Sequence, residues 1–566
     1  MMLKVAFLLC ASAGFASAGL INRASETATV AIPQATILGS VNDNVESFNG
    51  IPFAEPPTGP LRLKPPQRLK RSLGLFDGTG SAPACPQFIS SPDSTEFLES
   101  ILGSLANLPW IQNVTGQTED CLSITVTRPA GLSADAKLPV LFWIFGGAFE
   151  LGWSSMYDGT SLVKHGISID KPFIFVAVNY RVGGFGFLAG KEILADGAAN
   201  LGLLDQRMGL QWVADNIASF GGDPEKVTIW GESAGSISVF DQMALFGGDH
   251  MYKGKPLFRA GIMSSGCTVP AEPIDSARAQ AVYDDVVEAG GCADASDTLE
   301  CLRGLDYIDF LNAVTTPAGL LSYAGVALTF LPRPDGRVLP DSPDVLLQQG
   351  KYAPVPFILG DQEDEGTLFS LFQPNITSKE DLVGYLHDIV WKSASEDELS
   401  ELVDTYNDGF AAITEGSPFR TGLLNNVFPG FKRRAALLGD VLFTLSRRAF
   451  LETANEVNPA VPSWSYLGTY DHGTPILGTF HGSDLLQVFF GIFDNYAAQS
   501  TRTYLVNFLY SMDPNGDLSG EYPEWPQWVK AREILNIQAD KVSLLKDDFR
   551  SDSYEVIKKL SGALRL

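Results

Sequence analysis

Serine is a weak nucleophile at neutral pH and works only where the backbone thrusts it outward beside a base. One stretch of this sequence has that form. Residues 227 to 236 read Val-Thr-Ile-Trp-Gly-Glu-Ser-Ala-Gly-Ser, an apolar strand running into Gly231-x-Ser233-x-Gly235. Glycines at that spacing permit a sharp strand-to-helix turn that presents the serine hydroxyl to a substrate carbonyl and to a base at once. An accidental turn is the bland alternative, and the strand in front of the motif argues against it. Attack on a carbonyl also needs hydrogen-bond donors for the oxyanion. The strand Leu141-Phe142-Trp143-Ile144 ends in Phe145-Gly146-Gly147-Ala148-Phe149, whose small residues let backbone N–H groups come close.

In a strand–elbow–helix arrangement the acid and then the base follow the serine along the chain. The apolar run Val355 to Leu359 ends in Gly360-Asp361-Gln362-Glu363-Asp364-Glu365-Gly366-Thr367. Four carboxylates compete there, and pattern does not choose among them. Of the five histidines, His165 and His250 come too early and His387 sits in a helical stretch. His472 and His481 both lie in glycine-containing loops, so two candidates for the base stay open.

The elements that must carry these residues are short apolar runs: Leu138 to Ile144, Pro172 to Val178, Val227 to Trp230 and Val355 to Leu359. Helical patterns lie between them, as in Leu203 to Ile217, where Leu204, Met208, Trp212 and Val213 recur at helical spacing. Strands alternating with helices predict an α/β fold with a large, mostly parallel central sheet flanked by helices. No repeat, linker or low-complexity stretch divides the chain, so residues 19–566 are expected to form a single domain. The segment from Pro86 to Glu119 is rich in Leu, Ile, Phe and Trp and is bracketed by Cys85 and Cys121. It reads either as a stapled core helix or as an amphipathic lid.

Residues 1–18 carry Lys4, an apolar run from Val5 to Phe15, and Ala16-Ser17-Ala18, the small-x-small pattern of a signal peptide cleaved after Ala18. Its removal takes Cys10 and leaves an odd number of cysteines for an oxidising, extracellular setting. Cys292 and Cys301 are close enough to pair in a small loop, with Cys267 left as a buried thiol. The sequons at Asn113 and Asn375 permit glycosylation. Forty Lys+Arg against 66 Asp+Glu give a net charge of −26, which repels nucleic acid. Few histidines and cysteines are available for metal clusters. In Asp513-Pro-Asn-Gly-Asp517-Leu-Ser-Gly-Glu521 the glycine and last glutamate are misplaced for a calcium loop, so neither a metal nor a cofactor is expected.

Taken together the motifs resemble the type-B carboxylesterase/lipase family of cholinesterase-like α/β-hydrolases, and within it the secreted fungal lipases and sterol esterases. The resemblance runs through Phe48-Asn-Gly-Ile-Pro-Phe-Ala-Glu-Pro-Pro57, Glu119-Asp-Cys-Leu122, Asn179-Tyr-Arg181, Asn200-Leu-Gly-Leu-Leu-Asp-Gln206, Phe220-Gly-Gly-Asp223, Gly231-Glu-Ser-Ala-Gly235, Asp364-Glu-Gly-Thr367 and Gly478-Thr-Phe-His481. The stretches Tyr252 to Met263 and Leu331 to Gly336 carry the fungal branch. The resemblance implies Ser233 as nucleophile, Glu365 as acid and His481 as base. It implies an oxyanion hole from Gly147, Ala148 and Ala234, with Ala148 in place of the family's usual third glycine. It implies bridges Cys85–Cys121 and Cys292–Cys301, the first at the base of a lid of about residues 86–120, and an acyl site touching Ile237, Leu368 and Phe369.

The expected function is a secreted serine esterase for long-chain esters, triacylglycerols and sterol esters, acting at a lipid–water interface through the lid. A carboxylesterase for small soluble esters and a non-catalytic adhesion protein on the same scaffold are the alternatives. An apolar lid and pocket rim also allow a homodimer or a detergent-sensitive aggregate.

Overall fold

The computed structural model describes residues 27–87, 116–320, 322–471, 473–516 and 520–566. The expected leader, Asn113, His472 and the middle of the segment between Cys85 and Cys121 lie outside the described residues. Strands β1 (Thr27–Ile32), β2 (Ala35–Asn42), β3 (Val45–Pro52) and β4 (Gly74–Asp77) come first. They are followed by β5 (Ser123–Pro129), β6 (Leu138–Ile144), β7 (Ile174–Val178) and β8 (Gly222–Glu232). A short ribbon, β9 (Met251–Tyr252) with β10 (Lys255–Pro256), precedes β11 (Ala260–Ser264), β12 (Phe357–Gln362), β13 (Ser463–Gly468), β14 (Glu533–Ile537) and β15 (Val542–Lys546).

All but the ribbon join a 13-stranded sheet of order β1-β2-β3-β5-β7-β6-β8-β11-β12-β13-β14-β15, with β4 beside β2. From β7 through to β14 every neighbour is parallel, and the flanks are largely antiparallel. The four strands expected from apolar runs are β6, β7, β8 and β12. Their lack of polar alternation has a direct cause. Helices cover both faces of a parallel sheet, so neither side of a strand meets water, and β7, β11, β12 and β13 are buried at every position.

Helix α1 (Leu201–Asn216) matches the expected helix and is buried around most of its circumference. Helix α2 (Ala234–Gly248) leaves β8 directly, and its helical geometry ends at Leu245. The bridges Cys85–Cys121 and Cys292–Cys301 are both formed. Cys267 is a free, buried thiol, and burial pushes it up to about 12, which disfavours the nucleophilic thiolate.

Register aligns the strand ends that carry the site. Ile144 pairs with Gly231, Glu232 with Ser264, Ser264 with Gly360, and Gln362 with Gly468. The loops after β6, β8, β12 and β13 therefore open at one edge of the sheet, the carboxyl ends where open α/β sheets form their crevices.

Candidate active site

Ser233 stands between β8 and α2 with φ 58° and ψ −125°. A serine on that side of φ/ψ space costs of order 1–3 kcal/mol and persists only where its surroundings impose it. The two flanking glycines make it feasible. A Cβ on Gly231 would sit 2.2 Å from the Gly235 carbonyl oxygen, and one on Gly235 would sit 2.0 Å from that of Ile144. The Ser233 N–H donates to the Ser264 carbonyl at 2.9 Å, pinning the turn to β11.

The Ser233 hydroxyl lies 2.7 Å from His481 Nε2, and His481 Nδ1 lies 2.6 Å from Glu365 Oε2. Glu365 Oε1 accepts from the Gln362 N–H at 2.7 Å, which locks the carboxylate. The competing carboxylates have other partners. Asp361 is 3.1 Å from Arg447 Nε, and Glu363 pairs with Arg420. Asp364 accepts from Ser417 Oγ and the Phe419 and Thr479 N–H groups at 2.8, 2.8 and 3.0 Å. It thereby ties the loop bearing His481 to the loop bearing Glu365. Among the other described histidines, His165 contacts Thr503, His387 pairs with Asp388, and His250 lies beside Phe258; none of these three has a contact with the serine.

Burial alone would lower His481, but the Glu365 carboxylate beside it, with Glu232 and Asp484 nearby, lifts it to about 9. Glu232 Oε1 is 3.5 Å from His481 Nε2 and takes no hydrogen bond among the described residues. Burial pushes both Glu232 and Asp484 upward from the usual carboxylate range. The imidazole thus bonds to one carboxylate, Glu365, and has two burial-raised carboxyls, Glu232 and Asp484, in its electrostatic surroundings.

Gly146 abuts the elbow: a Cβ there would lie 2.4 Å from the Glu232 carbonyl and 2.8 Å from Ser233 Cβ. The next residues, Gly147 and Ala148, have φ 110° and 57°, and their N–H groups meet no acceptor among the described residues. Ala234 N–H belongs to the first turn of α2, where helices leave donors unpaired. Ile237 begins the next turn, its N–H donating to the Ser233 carbonyl at 3.0 Å. Phe369 packs on the His481 ring at 5.0 Å. Leu368, half-buried, instead packs against Leu371, Phe372 and Phe431.

Sequence reasoning missed Phe443, whose ring lies 4.7 Å from that of His481 and stacks on Phe369 at 5.8 Å. It stands on a π-helical turn, Asp440–Thr444, a local irregularity that recurs at functional sites. It missed Glu232 and Asp484 as well. Glu232 lies within the Gly231–Gly235 motif and Asp484 three residues beyond His481, so their carboxyls were in plain view, but only folding sets them near the imidazole.

The model of the carboxylesterase family matches residues 26–556. A secreted triacylglycerol lipase of Gibberella zeae is 60% identical over 551 residues, 97% of this chain and 93% of that protein. A secreted lipase of Botryotinia fuckeliana is 57% identical, over 94% of this chain and 93% of its own, and a lipase of Diutina rugosa is 43% identical over 94% and 96%. Among solved structures, Aspergillus niger EstA superposes with a TM-score of 0.80 at 26% identity, covering 95% of this chain and 99% of that one. A PNB esterase does so at 0.72. The architecture is that of the α/β-hydrolase fold, as expected from the motifs. With a family match along nearly all of its length and relatives this similar, the chain belongs to the carboxylesterase family and is a carboxylic ester hydrolase.

Proposed function

We propose that this protein is a secreted serine lipase that cleaves long-chain esters, triacylglycerols and sterol esters, through an acyl-enzyme on Ser233. The observation that carries the reading is the hydrogen-bonded chain Ser233–His481–Glu365 set against the aromatic rings of Phe369 and Phe443. As Ser233 Oγ bonds to the ester carbonyl carbon, His481 Nε2 takes the serine proton, and Glu365 steadies the resulting cation through Nδ1. The carbonyl oxygen gains charge against the N–H groups of Gly147, Ala148 and Ala234; in other hydrolases one such donor is worth about 3–4 kcal/mol. Collapse breaks the bond to the alcohol oxygen, which leaves with the proton from His481. Water then repeats the cycle on the acyl-enzyme and releases the acid.

The substrate class follows from the triacylglycerol lipase and the other lipases to which the chain is similar. The extracellular location follows from the relatives named as secreted, and the leader ending at Ala18 suits it. No helix among the described residues is long and apolar enough to cross a membrane. In this reading the apolar segment held between Cys85 and Cys121 is a lid that docks on lipid. Leu423 and Leu424, on the loop tied to Asp364, are exposed apolar side chains, and self-association in the absence of detergent is a consequence of such exposure. Asn375, exposed ahead of the helix capped by Ser378, is a carrier for glycan.

The test compares initial rates on p-nitrophenyl esters from acetate to palmitate, on triolein and on cholesteryl oleate, with and without a dispersed interface, with Ser233→Ala as control. We expect long-chain activity that rises with the interface and falls at least about 10³-fold in the variant. Activity confined to short soluble esters would overturn the lid and long-chain assignment. Full activity in Ser233→Ala would overturn the nucleophile.

A further inference from the structure

We propose that Gln87 is a positioning residue for ester hydrolysis, its side-chain amide holding the oxyanion turn in place against Ser233. The inference rests on the serine-hydrolase reading above.

The turn from Gly146 to Gly152 is strained. Gly147, Ala148, Phe149 and Gly152 all have positive φ, at 110°, 57°, 60° and 111°, and two of them carry side chains that disfavour that region. Such a conformation lasts only when its neighbours over-determine it. Hydrogen bonds from the Glu150 and Leu151 N–H groups to the Gly147 carbonyl, each 3.0 Å, shape the turn internally. They do not decide where it lies relative to the nucleophile.

Three external ties do. The Gly183 N–H donates to the Phe149 carbonyl at 2.6 Å. Glu150, 1% exposed, accepts from the Leu320 N–H at 2.7 Å. At the base of the turn, Gln87 Nε2 donates to the Gly152 carbonyl at 2.8 Å and Gln87 Oε1 accepts from the Gly152 N–H at 3.3 Å. This third tie engages both the N–H and the carbonyl of one residue, as a neighbouring antiparallel strand would. Gln87 is buried, so removing its amide leaves both Gly152 groups without a partner and without ready access to water.

The grip is transmitted by contact. Gly152 is packed so closely over the start of the turn that a Cβ on it would sit 2.5 Å from the Phe145 ring and 2.6 Å from the Gly146 carbonyl. Gly146 in turn abuts Glu232 and Ser233. Gln87 itself is anchored two residues from Cys85, whose bridge to Cys121 is braced by hydrogen bonds from the Thr118 N–H to the Ala84 carbonyl, 3.0 Å, and from the Gln87 N–H to Gln117 Oε1, 3.3 Å. No sequence motif marks Gln87, because its partner is a backbone 65 residues away.

A group that only aims the oxyanion donors acts when charge develops, so its loss lowers kcat and leaves KM nearly unchanged. The test uses the full chain and soluble p-nitrophenyl butyrate, with Gln87→Ala and the better-filling Gln87→Met. Each is measured for kcat, KM and affinity for a trifluoromethyl ketone whose serine adduct places an oxyanion in the turn. Titration of Ser233 with a fluorophosphonate counts the folded sites. Per titrated site, we expect kcat to fall about tenfold or more, KM to stay within about twofold, and ketone affinity to weaken by the factor lost in kcat/KM. Wild-type hydrolysis with unchanged kcat and ketone affinity in both variants overturns the role of Gln87 alone. A wild type without ester hydrolysis overturns this role and the serine-hydrolase reading together.

Discussion

Two carboxyl groups face one imidazole, and their division of labour can be read from their partners. Glu365 is locked by Gln362 and bonded to Nδ1, whereas Glu232 approaches Nε2, the side that in the proposed mechanism takes the serine proton and then returns it to the leaving alcohol. A negative charge there favours imidazolium and works against a base. Glu232→Gln removes that charge, so the acid limb of the kcat/KM profile on a soluble ester is expected to move to lower pH, by about half a unit or more. A pH titration of rates checks it, and a limb that stays put or moves upward would contradict it. At this scale the sequence was informative about residue type and silent about partners. Its motifs exposed Ser233 and narrowed the base to two histidines, and family resemblance was needed to choose Glu365 among four acids. What separates those acids is Arg447, Arg420 and Ser417, which stand tens of residues away and leave no mark on the local pattern.

The strand-to-helix elbow is an element defined by what its glycines lack. Gly235→Ala would drive a methyl group into the Ile144 carbonyl at 2.0 Å, where backbone rather than a pliant side chain must give way. We expect a loss of about 1–3 kcal/mol in denaturant unfolding together with loss of activity. Gly384 is the counter-case. It lies in the helix Lys379–Tyr385 with nothing within 4 Å of an added Cβ, so Gly384→Ala should gain about 0.5–1 kcal/mol and leave the rates unchanged. A midpoint that falls in that variant would show that the helix does not want a better former there. Elements were the most legible level, because burial on both faces writes a parallel strand as an unbroken apolar run. The exception is the π-helical turn carrying Phe443, since one extra residue in a turn barely disturbs the helical pattern.

The whole molecule carries a net charge of −26 and keeps several carboxyls out of water. Burial raises Glu150 to about 8 and Asp364 to about 7. His481, which burial by itself would lower, is lifted to about 9 by Glu365 and its neighbours. For each of these groups the folded chain binds a proton more tightly than the unfolded chain. Their stabilising contribution is therefore present at low pH and is lost as pH rises through the raised values. His165, which burial lowers to about 4, opposes the trend between about 4 and 6.5, and Asp547, buried but held at about 2 by Arg447 and Arg448, loses its contribution only in stronger acid. Thermal unfolding should thus shift to lower temperature from pH 6.5 to 9, where these signs agree and the surface charge also repels itself; a rising midpoint over that range would contradict the assignment.

The hydrogen-bonded chain at the active site joins residues 248 and 116 positions apart, across β8, β12 and β13. In the proposed mechanism a fragment ending before His481 lacks the base, and no partly assembled sheet holds the three groups in line. Esterase turnover in a refolding mixture therefore serves as a census of finished molecules, counting only chains whose central strands have all found their places.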